Sequence, residues 1–171
     1  METDLPLFDL LQTFAEIAAT VAGFTGIVGV FGRQYSDSDP RVDATRLRGM
    51  VENALLAVAF ALIPLLMAQA GLESGVLWRL ASGLLALCWG ALTWVSSRRY
   101  RALAREGVYR FDRLGRIAYG FSCLAILLLA INSLGVFGGA APTLYFLGLC
   151  SPVVISALLL LRMLGSQTKV K

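Results

Sequence analysis

The sequence predicts an all-α polytopic membrane protein, folded as a single bundle of five transmembrane helices. The 171-residue chain is 57% hydrophobic, has a mean hydropathy of +0.72 and is only 15% charged. Soluble globular chains are nearer half apolar and a quarter charged. The apolar residues form continuous runs of about the ~20 residues that cross a bilayer. They lack the period-two alternation of a membrane β-barrel, which favours helices.

The five predicted spans lie at about 10–32, 50–70, 80–97, 117–137 and 143–163. The first contains a single charge, Glu16, and the second has Glu52 near its start. The last two spans belong to one uncharged stretch, too long for a single helix, which the turn residues 138–142 divide. Acidic residues and no Arg or Lys precede the first span, which is the reverse of a cleavable signal peptide.

The distribution of arginine and lysine predicts the orientation of the spans. The connections after the first and third spans are rich in arginine, and the C-terminal tail is also basic. The second connection has only Arg79, and the fourth has no basic residue. Because basic segments remain in the cytoplasm, we expect the N-terminus outside and the C-terminus inside. Arginine far outnumbers lysine, which is typical of a GC-rich bacterial genome, so the expected location is a bacterial inner membrane.

Polar residues on the first span form a candidate intramembrane cluster. Gln12, Glu16 and Thr20 share one face of a helix, together with small residues that favour close packing against protein. A carboxylate in a bilayer must be neutral, paired or hydrated. Arg79 and Asn132 are expected in the same leaflet, so a Glu16–Arg79 pair near Asn132 is one hypothesis. A hydrated cavity or ion pathway, or exposure of Glu16 at the interface, are the alternatives.

Two further groups of charges lie at the predicted cytoplasmic side. Arg48 and Glu52 are four residues apart on one helix and predict a helix-end ion pair. The third span is expected to continue as a helix to a stop at Gly107. The basic residues on this extension predict contact with anionic lipid headgroups: Arg98, Arg99, Arg101 and Arg105. No aromatic RNA-binding pattern accompanies them, so no nucleic-acid partner is expected.

Two resemblances accompany this interpretation. The segments 11–18, 23–26, 46–48, 63–66 and 78–80 (LQTFAEIA, GFTG, RLR, IPLL and WRL) resemble a group of small bacterial multi-pass membrane proteins. That resemblance covers about the first 100 residues and implies the architecture but no activity. The segment from Arg46 to Asn53 is similar to the stretch that opens the second helix in the membrane-associated eicosanoid and glutathione metabolism superfamily. The histidine usual there is absent, and these proteins have four helices.

Composition also narrows the classes of function. The chain has no histidine, which excludes histidine-ligated haem and histidine acid–base relays. The three cysteines stand alone, without a C-x-x-C motif. We therefore expect no metal or cofactor and favour a non-enzymatic component that conducts, transports or partners with another protein. A homo-oligomer and a protein partner both remain open. The alternatives are a membrane-embedded enzyme on a lipophilic substrate, and an anchor or sensor for a cytosolic partner.

Overall fold

In a computed structural model the chain forms five long α-helices, each long and apolar enough to cross a membrane. The structure describes residues 5–32, 39–109 and 113–167, with side chains at 7–27, 39–109 and 113–160. A single 3-10 turn at Gly138–Ala140 precedes the last helix. The predicted all-helical bundle with five membrane-length helices is therefore confirmed for this part of the chain. The helices are α1 (Leu5–Gly32), α2 (Pro40–Gln69), α3 (Ser74–Arg105), α4 (Arg113–Ser133) and α5 (Ala141–Gln167).

The second helix begins well before the apolar run that predicted it. Asp39 precedes α2, and its side chain accepts a hydrogen bond from the backbone N–H of Arg41 at 2.8 Å. Pro40 occupies the first helical position, where its missing N–H costs nothing. The N–H of Arg41, and then its guanidinium, lower the pKa of the Asp39 carboxyl. The arginines assigned to the first connection from residue 41 onwards thus lie on a helix.

The third helix continues beyond the apolar residues, as predicted. It extends to Arg105, and the chain then turns through Gly107, whose φ of +73° suits glycine. The fourth helix ends earlier than expected, at Ser133, because the turn before α5 begins there. Gly135 in that turn has a φ of +78° and packs directly beneath the guanidinium of Arg79.

Helix α5 contacts each of the other four helices, whereas α1 lies at the periphery and packs chiefly on α2. The α2 face in the core is built from small residues, including Ala54, Ala57 and Ala61. Small residues allow the backbones of membrane helices to approach closely. Large side chains from the other elements complete the core: Leu11, Phe14, Leu77, Trp78, Leu85, Trp89, Leu129, Tyr145 and Leu149.

Consecutive helices alternate in direction, which gives the bundle two chemically different ends. At one end the rings of Phe8, Trp78 and Tyr145 pack together, beside the α2–α3 and α4–α5 turns. We refer to this as the turn end. At the other end α2 begins and α3 finishes, and we refer to it as the basic end because of its arginines: Arg41, Arg46, Arg48, Arg98, Arg99, Arg101 and Arg105.

Candidate functional site

A cavity of about 500 Å³ lies between α2, α3, α4 and α5 in the half of the bundle nearer the basic end. Its volume falls in the range of small-molecule sites. Most of its surface is apolar or aromatic. The residues that form this part are Trp89, Leu92, Trp94, Ala118, Tyr119, Ile155 and Leu159.

Exposed aromatic side chains from α3 and α4 line one side of the cavity. Trp94 on α3 and Tyr119 on α4 both line it, and 59% and 45% of their respective surfaces are exposed. Trp89 precedes Trp94 by five residues on α3 and lies farther from the basic end. Only 1% of its surface is exposed, so it forms part of the closed interior.

Polar groups on α3 line the part of the cavity nearest the basic end. Thr93, Ser97 and Arg101 follow Trp89 at intervals of four residues, so all four share one helix face. Arg101 donates from Nε to the Ser97 carbonyl at 3.2 Å and from Nη2 to Ser97 Oγ at 3.0 Å. Its guanidinium also lies over the Trp94 ring, 5.6 Å from the ring centre. These contacts hold the Arg101 charge at the cavity wall.

Opposite this face, α2 contributes the carboxylate of Glu52, which forms ion pairs with two arginines. Glu52 accepts a hydrogen bond from Arg48 Nε at 2.6 Å, so the pair predicted from the i,i+4 spacing is present. Arg99 on α3 donates from Nη1 to both Glu52 oxygens, at 3.1 and 3.2 Å. Beside it, Asn53 Nδ2 donates to the Gly49 carbonyl. The Glu52 carboxylate thus ties α2 to α3 and lies between two guanidinium groups.

The four arginines predicted to contact lipid headgroups therefore divide into two pairs. Arg99 pairs with Glu52 through its guanidinium, and its predicted contact with lipid stays a prediction. Arg101 lines the cavity and is also exposed. Arg98 and Arg105 are exposed and do not line the cavity. Helical geometry separates Arg99 from the others: at about 100° per residue Arg98, Arg101 and Arg105 share one face of α3, and Arg99 points away from it towards α2.

The predicted intramembrane cluster is not assembled within one chain. Gln12, Glu16 and Thr20 are all exposed on the outer face of α1, and the Thr20 hydroxyl donates to the Glu16 carbonyl of its own helix. The buried face carries residues such as Leu11 and Phe14. Hydrophobic packing explains this arrangement, because the apolar face of α1 packs on α2 and α5, with Phe14 against Phe146 of α5, and the polar stripe lies on the opposite side.

The Glu16–Arg79 pair is likewise absent among the ion pairs of the described side chains. Phe8 stacks on Trp78 with ring centres 6.1 Å apart, which places Arg79 level with Phe8. Glu16 lies eight residues further along α1, about 12 Å deeper at 1.5 Å per residue. Helix α1 also packs on α2 rather than on α3. Glu16 is therefore midway along the span Leu7–Ile27, much deeper than expected, and Arg79 lies over the α4–α5 turn.

Asn132 has a structural role that does not involve either charge. It is fully buried, and its Nδ2 donates to Ser82 Oγ on α3 and to the Ala141 carbonyl that begins α5, both at 2.9 Å. The amide thereby joins three helices at the turn end.

Sequence reasoning missed most of the cavity. Trp89, Asn53, Thr93, Ser97 and Ser122 all line the cavity, and none of them was assigned to a site from the sequence. One local signal was present, since polar side chains recur every four residues on an otherwise apolar helix. Its partners on α2, α4 and α5 are distant in sequence and could not be found without the tertiary structure. Comparison of the chain with family models, with curated proteins and with solved structures finds no match.

Proposed function

We propose that this protein is a non-enzymatic, multi-pass membrane component that binds an amphipathic molecule from the bilayer in the cavity between α2, α3, α4 and α5. The polarity gradient of the cavity supports this proposal. Its deeper part is apolar around Trp89 and Ile155, and its part nearest the basic end carries Glu52, Ser97 and Arg101. A membrane lipid has the same gradient, with its head at the interface and its chain towards the bilayer centre.

A binding or transport role suits these groups better than catalysis. Glu52 is the carboxylate at the wall, and two arginines hold it. A general base needs a carboxylate that is free to accept a proton from a substrate. Binding, presentation or transport of a lipophilic molecule requires only shape and polarity complementarity. An enzyme acting on a lipophilic substrate is the alternative, and turnover of a bound lipid by the purified protein would favour it.

The proposal also includes the orientation of the bundle and the membrane in which it lies. The basic end faces the cytoplasm of a bacterial inner membrane, with the N-terminus outside and the C-terminus inside. Arg98 and Arg105 then lie near the surface of the cytoplasmic leaflet and attract anionic headgroups. The alternative is that the same arginines bind a cytosolic protein partner.

Self-association through α1 is a further part of the proposal. Glu16 is exposed midway along the predicted span, where a carboxylate in contact with lipid is costly. Ala19 and Gly23 are exposed on the same side, and a side chain added at Gly23 meets no atom within 4 Å. Small residues four apart allow close helix pairing, and polar side chains hydrogen-bond across such interfaces. In a homodimer, the α1 helix of each copy would present these small and polar residues to the α1 helix of the other copy.

Entry of a lipid into the cavity can be tested with Trp89 as a reporter. Replacing Trp78 and Trp94 by phenylalanine leaves Trp89, which is buried from the surrounding lipid, as the remaining tryptophan. Bromine-labelled lipids should quench its fluorescence because a labelled chain enters the cavity. Ala118→Phe, which fills the cavity, should abolish quenching. Ala130→Phe, at an exposed position on α4 outside the cavity, should preserve it. Unquenched Trp89 in the parent protein would contradict the proposal.

A further inference from the structure

Positive charges outnumber negative charges among the described side chains around the cavity, which favours an anionic ligand. Glu52 is shared by Arg48 and Arg99, so that group of three side chains already carries one excess positive charge. Arg101 adds a second positive charge at the cavity wall. No carboxylate among the described side chains lies within ion-pair distance of Arg101. Among the described side chains, the charges at the polar part of the cavity are therefore positive on balance.

The contacts that hold the Arg101 guanidinium in place leave some of its N–H donors unused. Contacts with Ser97 use Nε and one Nη2 hydrogen, two of the five N–H donors of an arginine. The Trp94 ring supports one face of the guanidinium. The remaining donors form part of a planar fork whose geometry matches a phosphate or carboxylate. Because the side chain is already ordered, binding an anion costs little additional side-chain entropy.

We propose that the cavity selects an anionic membrane lipid, whose headgroup binds Arg101 and whose chain occupies the apolar part around Trp89. This inference rests on the proposed function, since it requires that an amphiphile enters the cavity. The lipid is favoured over a free anion for two reasons. The apolar surface continues directly from Arg101 towards Trp89, and the exposed lining residues Trp94 and Tyr119 are of the aromatic types that are enriched at membrane interfaces.

The Trp89 reporter protein tests this selectivity. Phenylalanine at position 94 keeps an aromatic ring beneath Arg101. Titration with bromine-labelled phosphatidylglycerol should give half-maximal quenching at about a tenfold lower mole fraction than labelled phosphatidylcholine, since one charge-assisted hydrogen bond is worth about that factor. Arg101→Gln should remove the difference. Arg98→Gln, which removes an exposed arginine outside the cavity, should keep the difference, and Arg101→Lys should keep only part of it, because the charge remains but the planar fork is lost.

The outcomes separate this inference from the proposed function. Equal quenching by both lipids in the parent overturns the selectivity and leaves the cavity as a binding site for uncharged or zwitterionic amphiphiles. Absence of quenching by either lipid overturns both proposals. If Arg98→Gln reduces the preference as much as Arg101→Gln, diffuse surface charge explains it and the Arg101 site is wrong. If inorganic phosphate at millimolar concentration displaces labelled phosphatidylglycerol, the site binds a free anion instead of a lipid headgroup.

Discussion

The side-chain amide of Asn132, at the end of α4, donates a 2.9 Å hydrogen bond to the hydroxyl of Ser82 on α3. The same nitrogen donates to the Ala141 carbonyl at the start of α5. Both bonds are buried, so water cannot replace them if the amide is removed.

Asn132→Leu should destabilise the protein by about 1–3 kcal/mol, because leucine has a similar size but leaves the Ala141 carbonyl and Ser82 hydroxyl without the amide. Thermal unfolding in mild detergent measures the change. Ser133→Ala is the matched control, since the Ser133 hydroxyl bonds only to the Ala130 carbonyl of its own helix. Equal losses for the two variants would show that the interhelical bonds contribute nothing specific.

Gly148→Ala should separate α4 from α5 and lower stability by about 1–3 kcal/mol. A Cβ at Gly148 would lie 2.6 Å from Cδ2 of Leu129, a buried side chain. Gly120→Ala on α4 is the control, since it meets no atom within 4 Å and should be neutral or slightly stabilising. The double variant Gly148→Ala/Leu129→Ala should lose less than the sum of the two single variants, because Leu129→Ala, although costly by itself, removes the atoms that the new Cβ meets. Losses that simply add would locate the strain elsewhere.

The Glu52–Arg99 contact can be tested by a double-mutant cycle. Arg99→Gln should cost about 1 kcal/mol, because Glu52 keeps Arg48 but loses its link to α3. The double variant Glu52→Gln/Arg99→Gln should lose less than the sum of the single variants. Chemical unfolding of all four proteins measures the coupling energy. Strict additivity would mean that solvent screens this partly exposed pair completely.

Pairing of α1 helices predicts an oligomer that depends on the outer face of this helix. Gly23→Leu and Glu16→Ala should each shift the protein towards the monomer without lowering its thermal stability, because neither residue packs within its own chain. Gly120→Leu, at an equally open glycine on α4, should leave association unchanged. Mass measurement in mild detergent is the readout. A parent protein that is monomeric at every concentration rules out this interface.

The orientation is tested by reporter fusions. A reporter after Lys171 and one in the α3–α4 connection should both read cytoplasmic, since the basic segments are predicted to remain inside. A periplasmic signal from either fusion would contradict the proposed orientation and would place Arg101 near the outer leaflet.

Local features of the sequence predicted the helices and one ion pair. Apolar runs of membrane length predict spans because the bilayer acts on each segment separately. The Arg48–Glu52 pair was predictable because residues four apart are neighbours on any helix. The early start of α2 could also have been predicted from Asp39 and Pro40, which are local N-terminal signals that a hydropathy profile does not register.

The apolar runs were therefore sufficient to predict five helices, although α2 and α3 extend well beyond them. The rotation of each helix, in contrast, follows from its packing against the other helices. The polar stripe with Glu16 faces outward because large apolar residues on the opposite side of α1 pack against α2. Arg99 reaches Glu52, and the cavity forms beside Trp89, because four helices with distant sequence positions meet there. Such contacts depend on the fit between side chains of different helices, which the periodicity of a single helix does not contain.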